Sequence, residues 1–183
     1  MTEEERQGLR RLLDKEEIRE ASLKYTRGID RHDEDIARQA YHQGAVDDHG
    51  TWIGDAHGFV PFVNALHARN WRVHNHYITN QTIDLDGDVA HVETYYLAAL
   101  QREDGTVDIA GGRYVDRFER RDGRWAIADR GCLNEWRGEL NESTLGAGGL
   151  HLTGSRDRSD ISYQRPLKLT REHRAVQVDP SKG

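Results

Sequence analysis

The sequence predicts an α+β fold: helices first, then a curved antiparallel sheet wrapped around them. Three observations carry this. Apolar residues recur at helical spacing through most of the first 70 positions. From residue 73 the period changes to two. Asp86-Gly87, Asp104-Gly105 and Asp122-Gly123 then divide the rest into four long strands. Such a sheet, folded against helices, encloses one pocket.

The first helix opens on Thr2-x-x-Glu5, the pattern of a capping box, with Glu3 and Glu4 suited to a helix N-terminus. Leu9, Leu12, Leu13, Ile18, Ala21 and Tyr25 supply its apolar face, and Gly28 is read as its C-cap. Asp33 caps a second, short helix from Glu34 to Tyr41. Ala45 to Ile53 reads as a short strand pair turning near Asp48-His49-Gly50. A third helix spans Gly58 to Asn70, with Phe59, Phe62, Val63 and Leu66 on one face. The meander strands are His74–Leu85, Val89–Gln101, Val107–Arg120 and Arg124–Trp136. Beyond Trp136 the pattern fails. We therefore expect a domain over 1–137 and an irregular tail over 138–183, which covers the pocket or a neighbouring subunit. Leu150, Leu152, Ile161 and Tyr163 are the apolar residues that the tail has left to bury.

Composition narrows the function. The chain has 183 residues, 36% of them hydrophobic, and a net charge of −6. A modest single core fits that size. An acidic chain lacks the basic face that nucleic acid or an anionic membrane requires. The single cysteine, Cys132, forms no internal disulfide and reads as a small buried hydrophobe. The acidic N-terminus shows no signal peptide and no apolar run of membrane length, which predicts a cytoplasmic protein.

Two segments carry the candidate chemistry. Gly28-Ile29-Asp30 closes the first helix, and His74-Asn75-His76-Tyr77 opens the first long strand. If the fold joins them, Asp30 holds the His76 ring and makes it a general base. A dyad of this kind without a nucleophile points to proton abstraction. Strand alternation puts His74, His76, Ile78, Asn80 and Thr82 on one face. On the last strand it groups Ala126, Ala128, Arg130, Cys132 and Asn134. Arg130 among small residues either bridges to a carboxylate or stands beside a ligand. Asp47, Asp48, His49, His74 and His76 also permit a metal reading, but no third and fourth ligand follows from their spacing, and we expect no metal. Trp52, Phe59, Phe62, His74, Tyr96 and Trp136 are the expected substrate-binding wall, suited to a hydrophobic cyclic molecule.

These residues resemble the SnoaL-like group of the nuclear transport factor 2-like superfamily, over roughly residues 5–137. The resemblance lies in Tyr25-x-x-Gly28-Ile29-Asp30, the helix at 58–70, His76-Tyr77-x-Thr79-Asn80, and Arg121-Asp122-Gly123-Arg124-Trp125. The chain looks most like the branch holding hexachlorocyclohexane dehydrochlorinase, scytalone dehydratase and bile-acid 7α-dehydratase. The resemblance implies a cone-shaped, cystatin-like α+β barrel, a homotrimer or homodimer, and no cofactor. It implies Asp30 and His76 as the dyad, and Arg130 and Tyr25 as groups assisting a leaving group or an oxyanion. The activity implied is a dehydratase-type lyase, with double-bond isomerisation as the alternative. The same fold also serves in non-catalytic ligand-binding proteins and in the small subunit of ring-hydroxylating dioxygenases. The general acid is left unassigned by the resemblance.

Overall fold

The computed structural model describes residues 1–141 and 154–169. Helix α1 spans Glu3–Asp30 and α2 spans Glu34–Arg38. Strands β1 (Tyr41–Asp48) and β2 (Ile53–Asp55) precede α3 (Ala56–Asn70). Then come β3 (Val73–Asp86), β4 (Val89–Gln101), β5 (Val107–Arg121) and β6 (Arg124–Leu140). The sheet order is β2-β1-β6-β5-β4-β3. Every neighbouring pair is antiparallel except β1 with β6, which is parallel. This α+β architecture is the expected one, and the three Asp-Gly turns fall where the sequence puts them.

The capping box is formed: the Glu5 amide reaches Thr2 Oγ1 at 3.1 Å, and the Thr2 amide reaches Glu5 Oε2 at 2.7 Å. The apolar face of α1 starts later than expected. Leu9, Leu12 and Leu13 are exposed, whereas Ile18, Ala21 and Tyr25 are buried, because the sheet covers only the C-terminal half. Buried Asp14 anchors that helix. It accepts from Trp125 Nε1 at 3.0 Å and Arg120 Nη1 at 2.8 Å.

Gly28 is not the C-cap. The helix runs on to Asp30, and His32, at φ 51°, takes the left-handed position. The Asp33 amide donates to the Gly28 carbonyl at 2.8 Å, and the His32 amide to that of Ile29 at 3.2 Å, a Schellman ending. Gly28 serves close approach instead. A Cβ there would lie 2.7 Å from Ala37 Cα of α2. Helix α2 is shorter than expected because Tyr41 begins β1, paired with Ile127 of β6.

Bulges change which side chains face inward. In β3 the register slips between Ile78 and Gln81, so Gln81 and Ile83 turn inward in place of Asn80 and Thr82. In β6 Ala128 is the extra residue between Ile127 and Asp129. Trp125 and Ile127 thus share the inner face with Arg130 and Cys132, and Ala126 does not. Each bulge bends its strand and deepens the curvature of the sheet.

In the tail, Leu150 and Leu152 lie outside the described residues. The segment 154–169 docks on the α1–α2 junction. Asp160 takes the Ser155 and Ser162 amides and pairs with Arg31, while Tyr163 Oη donates to Asp33 at 2.8 Å.

Candidate active site

The end of α1 and the start of β3 meet at Asp30 and His76. Asp30 Oδ1 lies 2.6 Å from His76 Nδ1, and Oδ2 accepts the His76 backbone N–H at 2.9 Å. Both oxygens are used, which fixes the carboxylate and the ring together. With Nδ1–H donated to Asp30, the neutral ring carries its lone pair on Nε2. Nε2 is not among the sealed, unpartnered nitrogens of the described residues.

His76 lines a cavity of about 730 Å³, within the ~300–1,000 Å³ common for small-molecule sites. Tyr25, His49, His67, Tyr96 and Tyr114 face it too. Its apolar wall comes from Val63, Trp71, Ala98, Leu100 and Ile109. Its polar edge carries Arg102, which contacts Asp108 and lies 2.7 Å from Glu139.

Several expected residues lie elsewhere. Of the anticipated wall only Tyr96 borders the cavity. Phe59 is buried behind it, stacked on His49 with ring centroids 4.4 Å apart. Trp52 and Phe62 pack against each other with ring centroids 5.1 Å apart, and neither borders the cavity. The buried face of α3 is Phe59, Val60, Val63, Asn64 and His67, rotated from the expected one. Trp136 is half exposed, lies over Gly111 and does not border the cavity. His74 is fully buried, with Nε2 donating to the Ile29 carbonyl at 3.0 Å. Burial pushes its imidazole down to about 4, against a partial lift from that carbonyl.

Arg130 does not border the cavity either. It makes a buried two-point pair with Asp116, Nε to Oδ1 at 2.8 Å and Nη2 to Oδ2 at 2.7 Å. Its guanidinium lies 4.4 Å from the Tyr25 ring and 4.2 Å from that of Tyr114. Two of the phenols it stacks upon, Tyr25 and Tyr114, line the cavity. Tyr25 does border the cavity, and burial, aided by Tyr41 and Asp47, keeps its phenol well above the ordinary range.

Two more histidines, His67 and His49, border the cavity beside the dyad. His67 follows Phe59 and Val63 at four-residue spacing, which was the available signal. Its ring stacks 5.9 Å from that of His76. Burial first, then the neighbouring His74, His76 and His32, push it down to about 2, so it stays neutral. His49 lies two residues after Asp47, and its Nδ1 is hydrogen-bonded to Asp47 Oδ1. Its Nε2 lies 3.2 Å from Tyr25 Oη. Burial alone would lower His49, but Asp47, with Cys132 beside it, raises it to about 9. The metal reading separates into these two pairs: Asp47 with His49, and Asp30 with His76. Among the described residues, no three His, Cys, Asp or Glu side chains are grouped to hold a metal.

The fold has solved counterparts. A hexachlorocyclohexane dehydrochlorinase, LinA-type3 from Novosphingobium barchaimii, is 19% identical, with 80% of this chain and 98% of that one covered at a TM-score of 0.67. A scytalone dehydratase-like protein from Novosphingobium aromaticivorans is 16% identical, covering 72% and 90% at 0.64. Rv3472 of Mycobacterium tuberculosis is 25% identical, covering 68% and 77% at 0.61. At such identities the first two show a shared fold. A search of the curated proteins finds no match. No helix among the described residues is long and apolar enough to cross a membrane. The model of the SnoaL-like domain matches residues 10–131, and the chain belongs to that family.

Proposed function

We propose that this chain is a cofactor-independent lyase that performs a dehydratase-type elimination on a cyclic or polycyclic hydrophobic small molecule. The observation that carries the reading is the Asp30–His76 contact at a cavity wall, with both carboxylate oxygens engaged. His76 Nε2 removes a proton from carbon beside an electron-withdrawing group. Asp30 holds the required tautomer and stabilises the imidazolium that forms. Neutral His67, stacked beside it, adds no competing charge. The ring-lined cavity accepts a flat substrate, and the dehydrochlorinase and dehydratase-like neighbours of the same fold support elimination chemistry.

The test is incubation of the full chain with a panel of hydroxylated steroids and aromatic polyketides, read by mass for loss of one water. Wild type is expected to release water, and His76→Ala to abolish it with the circular dichroism spectrum unchanged. Retained turnover in His76→Ala overturns the dyad. We also propose assembly as a homodimer or homotrimer, supported by Tyr77, Tyr95, Val115 and Leu133 exposed on the outer sheet face. Light scattering tests that, and a monomer mass overturns it.

A further inference from the structure

We infer that Asp47, His49 and Tyr25 form the acid arm of this site, delivering a proton to the oxygen that leaves the substrate. This rests on the lyase reading above and adds to it the partner that a base alone lacks. An elimination needs two proton movements. His76 accounts for the one at carbon. A hydroxide leaves poorly unless something protonates it.

The three side chains form an ordered line. Asp47 is completely buried and receives two donors, Tyr41 Oη at 2.5 Å and His49 Nδ1. His49 presents Nε2 to Tyr25 Oη at 3.2 Å. Phe59 stacks on the imidazole and fixes its plane. Both His49 and Tyr25 border the same cavity as His76: His49 lies just past the end of β1 and Tyr25 in the C-terminal part of α1, whereas the base stands on β3. A buried pair kept for packing alone is replaceable by apolar side chains. This one ends instead on a phenol at the cavity wall.

The surroundings of His49 favour its cation. The charge is that of Asp47, on the strand that ends just before it; Tyr25 faces it from α1, Tyr114 from β5 and Cys132 from β6. Arg130, stacked on Tyr25 and Tyr114, is paired with Asp116. His67 on α3 stays neutral. The imidazole, raised to about 9, holds its proton at neutral pH, while the raised phenol remains an un-ionised donor.

The step balances. His76 Nε2 takes the C–H proton, those electrons form the C=C bond, and the C–O bond breaks. The departing oxygen takes the Tyr25 proton and leaves as water. Tyr25 recovers a proton from His49 Nε2, which leaves His49 neutral on Asp47. Exchange with solvent returns a proton to His49 and removes one from His76.

The decisive experiment uses the full chain labelled with ¹⁵N-histidine. At pH 7 His49 is expected to carry protons on both ring nitrogens, losing one near pH 9. Asp47→Asn is expected to leave it neutral at pH 7. A neutral His49 at pH 7 in wild type overturns the proposal and leaves the His76 base untouched. A kinetic arm uses β-hydroxytetralone and β-chlorotetralone, because chloride departs without a proton. His49→Gln should slow the hydroxy probe about 100-fold and spare the chloro probe. Tyr25→Phe, as the second variant, should show the same split. Equal slowing of both probes overturns the relay. Turnover of both probes by His76→Ala sinks the lyase reading instead, with the proton count on His49 still readable.

Discussion

A carboxylate has two oxygens, and Asp30 spends them on different parts of one residue. Oδ2 holds the His76 backbone and Oδ1 holds its ring. This makes the tautomer a consequence of geometry. In Asp30→Asn the amide oxygen must still accept the backbone N–H, so the amide nitrogen faces Nδ1. The ring then carries its proton on Nε2, where the base should be. We expect kcat to fall by about four orders of magnitude, the effect seen when a triad carboxylate becomes an amide, with KM little changed. Steady-state kinetics checks this, and a loss below tenfold would make Asp30 a structural cap. Asp47 repeats the arrangement with Tyr41 and His49 in place of one residue's backbone and ring.

The elements decide whether such residues meet. Asp30 sits in the last turn of α1, and the reversal at His32 leads directly into α2. Gly28 lets α2 lie against that turn. Gly28→Ala drives a methyl into the Ala37 backbone. We expect it to cost roughly 1–3 kcal/mol, read as a lower urea midpoint, and to lower kcat by shifting Asp30. A variant as stable as wild type would show that α2 yields freely. The meander was legible because an Asp-Gly turn and a period of two are local signals. So was the Asp30–His76 pair, since each residue ends a recognisable element. Strand β1 was legible only in part: its partner β6 lies some 80 positions away, and that pairing turned Tyr41 from helix to strand. The bulges at Asn80 and Ala128 left no pattern that alternation could reveal. The pocket wall was not legible because a large apolar residue serves core or surface equally well: Trp52 packs against the core, and Phe62 and Trp136 are exposed.

The whole molecule carries opposed titrations. His49 is raised on folding, so its contribution is fully present below about pH 6.5 and is lost as pH rises through about 9. The magnitude is on the order of 3 kcal/mol. His67 and His74 are lowered, to about 2 and about 4, so their contributions are present above pH 6.5 and are lost as pH falls. Urea midpoints should therefore peak near pH 6.5 and decline on both sides. Asp47→Asn should flatten the alkaline decline and keep the acid one. An alkaline slope unchanged in that variant would place the linkage elsewhere. One further property belongs to the molecule as a whole. Between the extra residue Ala128 and a second one at Glu135, the side chains of β6 exchange interior for exterior. A one-codon deletion there would turn Arg130 to water and send Asp129 and Gly131 inward. No single replacement of a letter reverses so many environments. In this fold the spelling length of a strand is itself heritable information, and gaining or losing one codon inside a strand can redraw a binding cavity in a single evolutionary step.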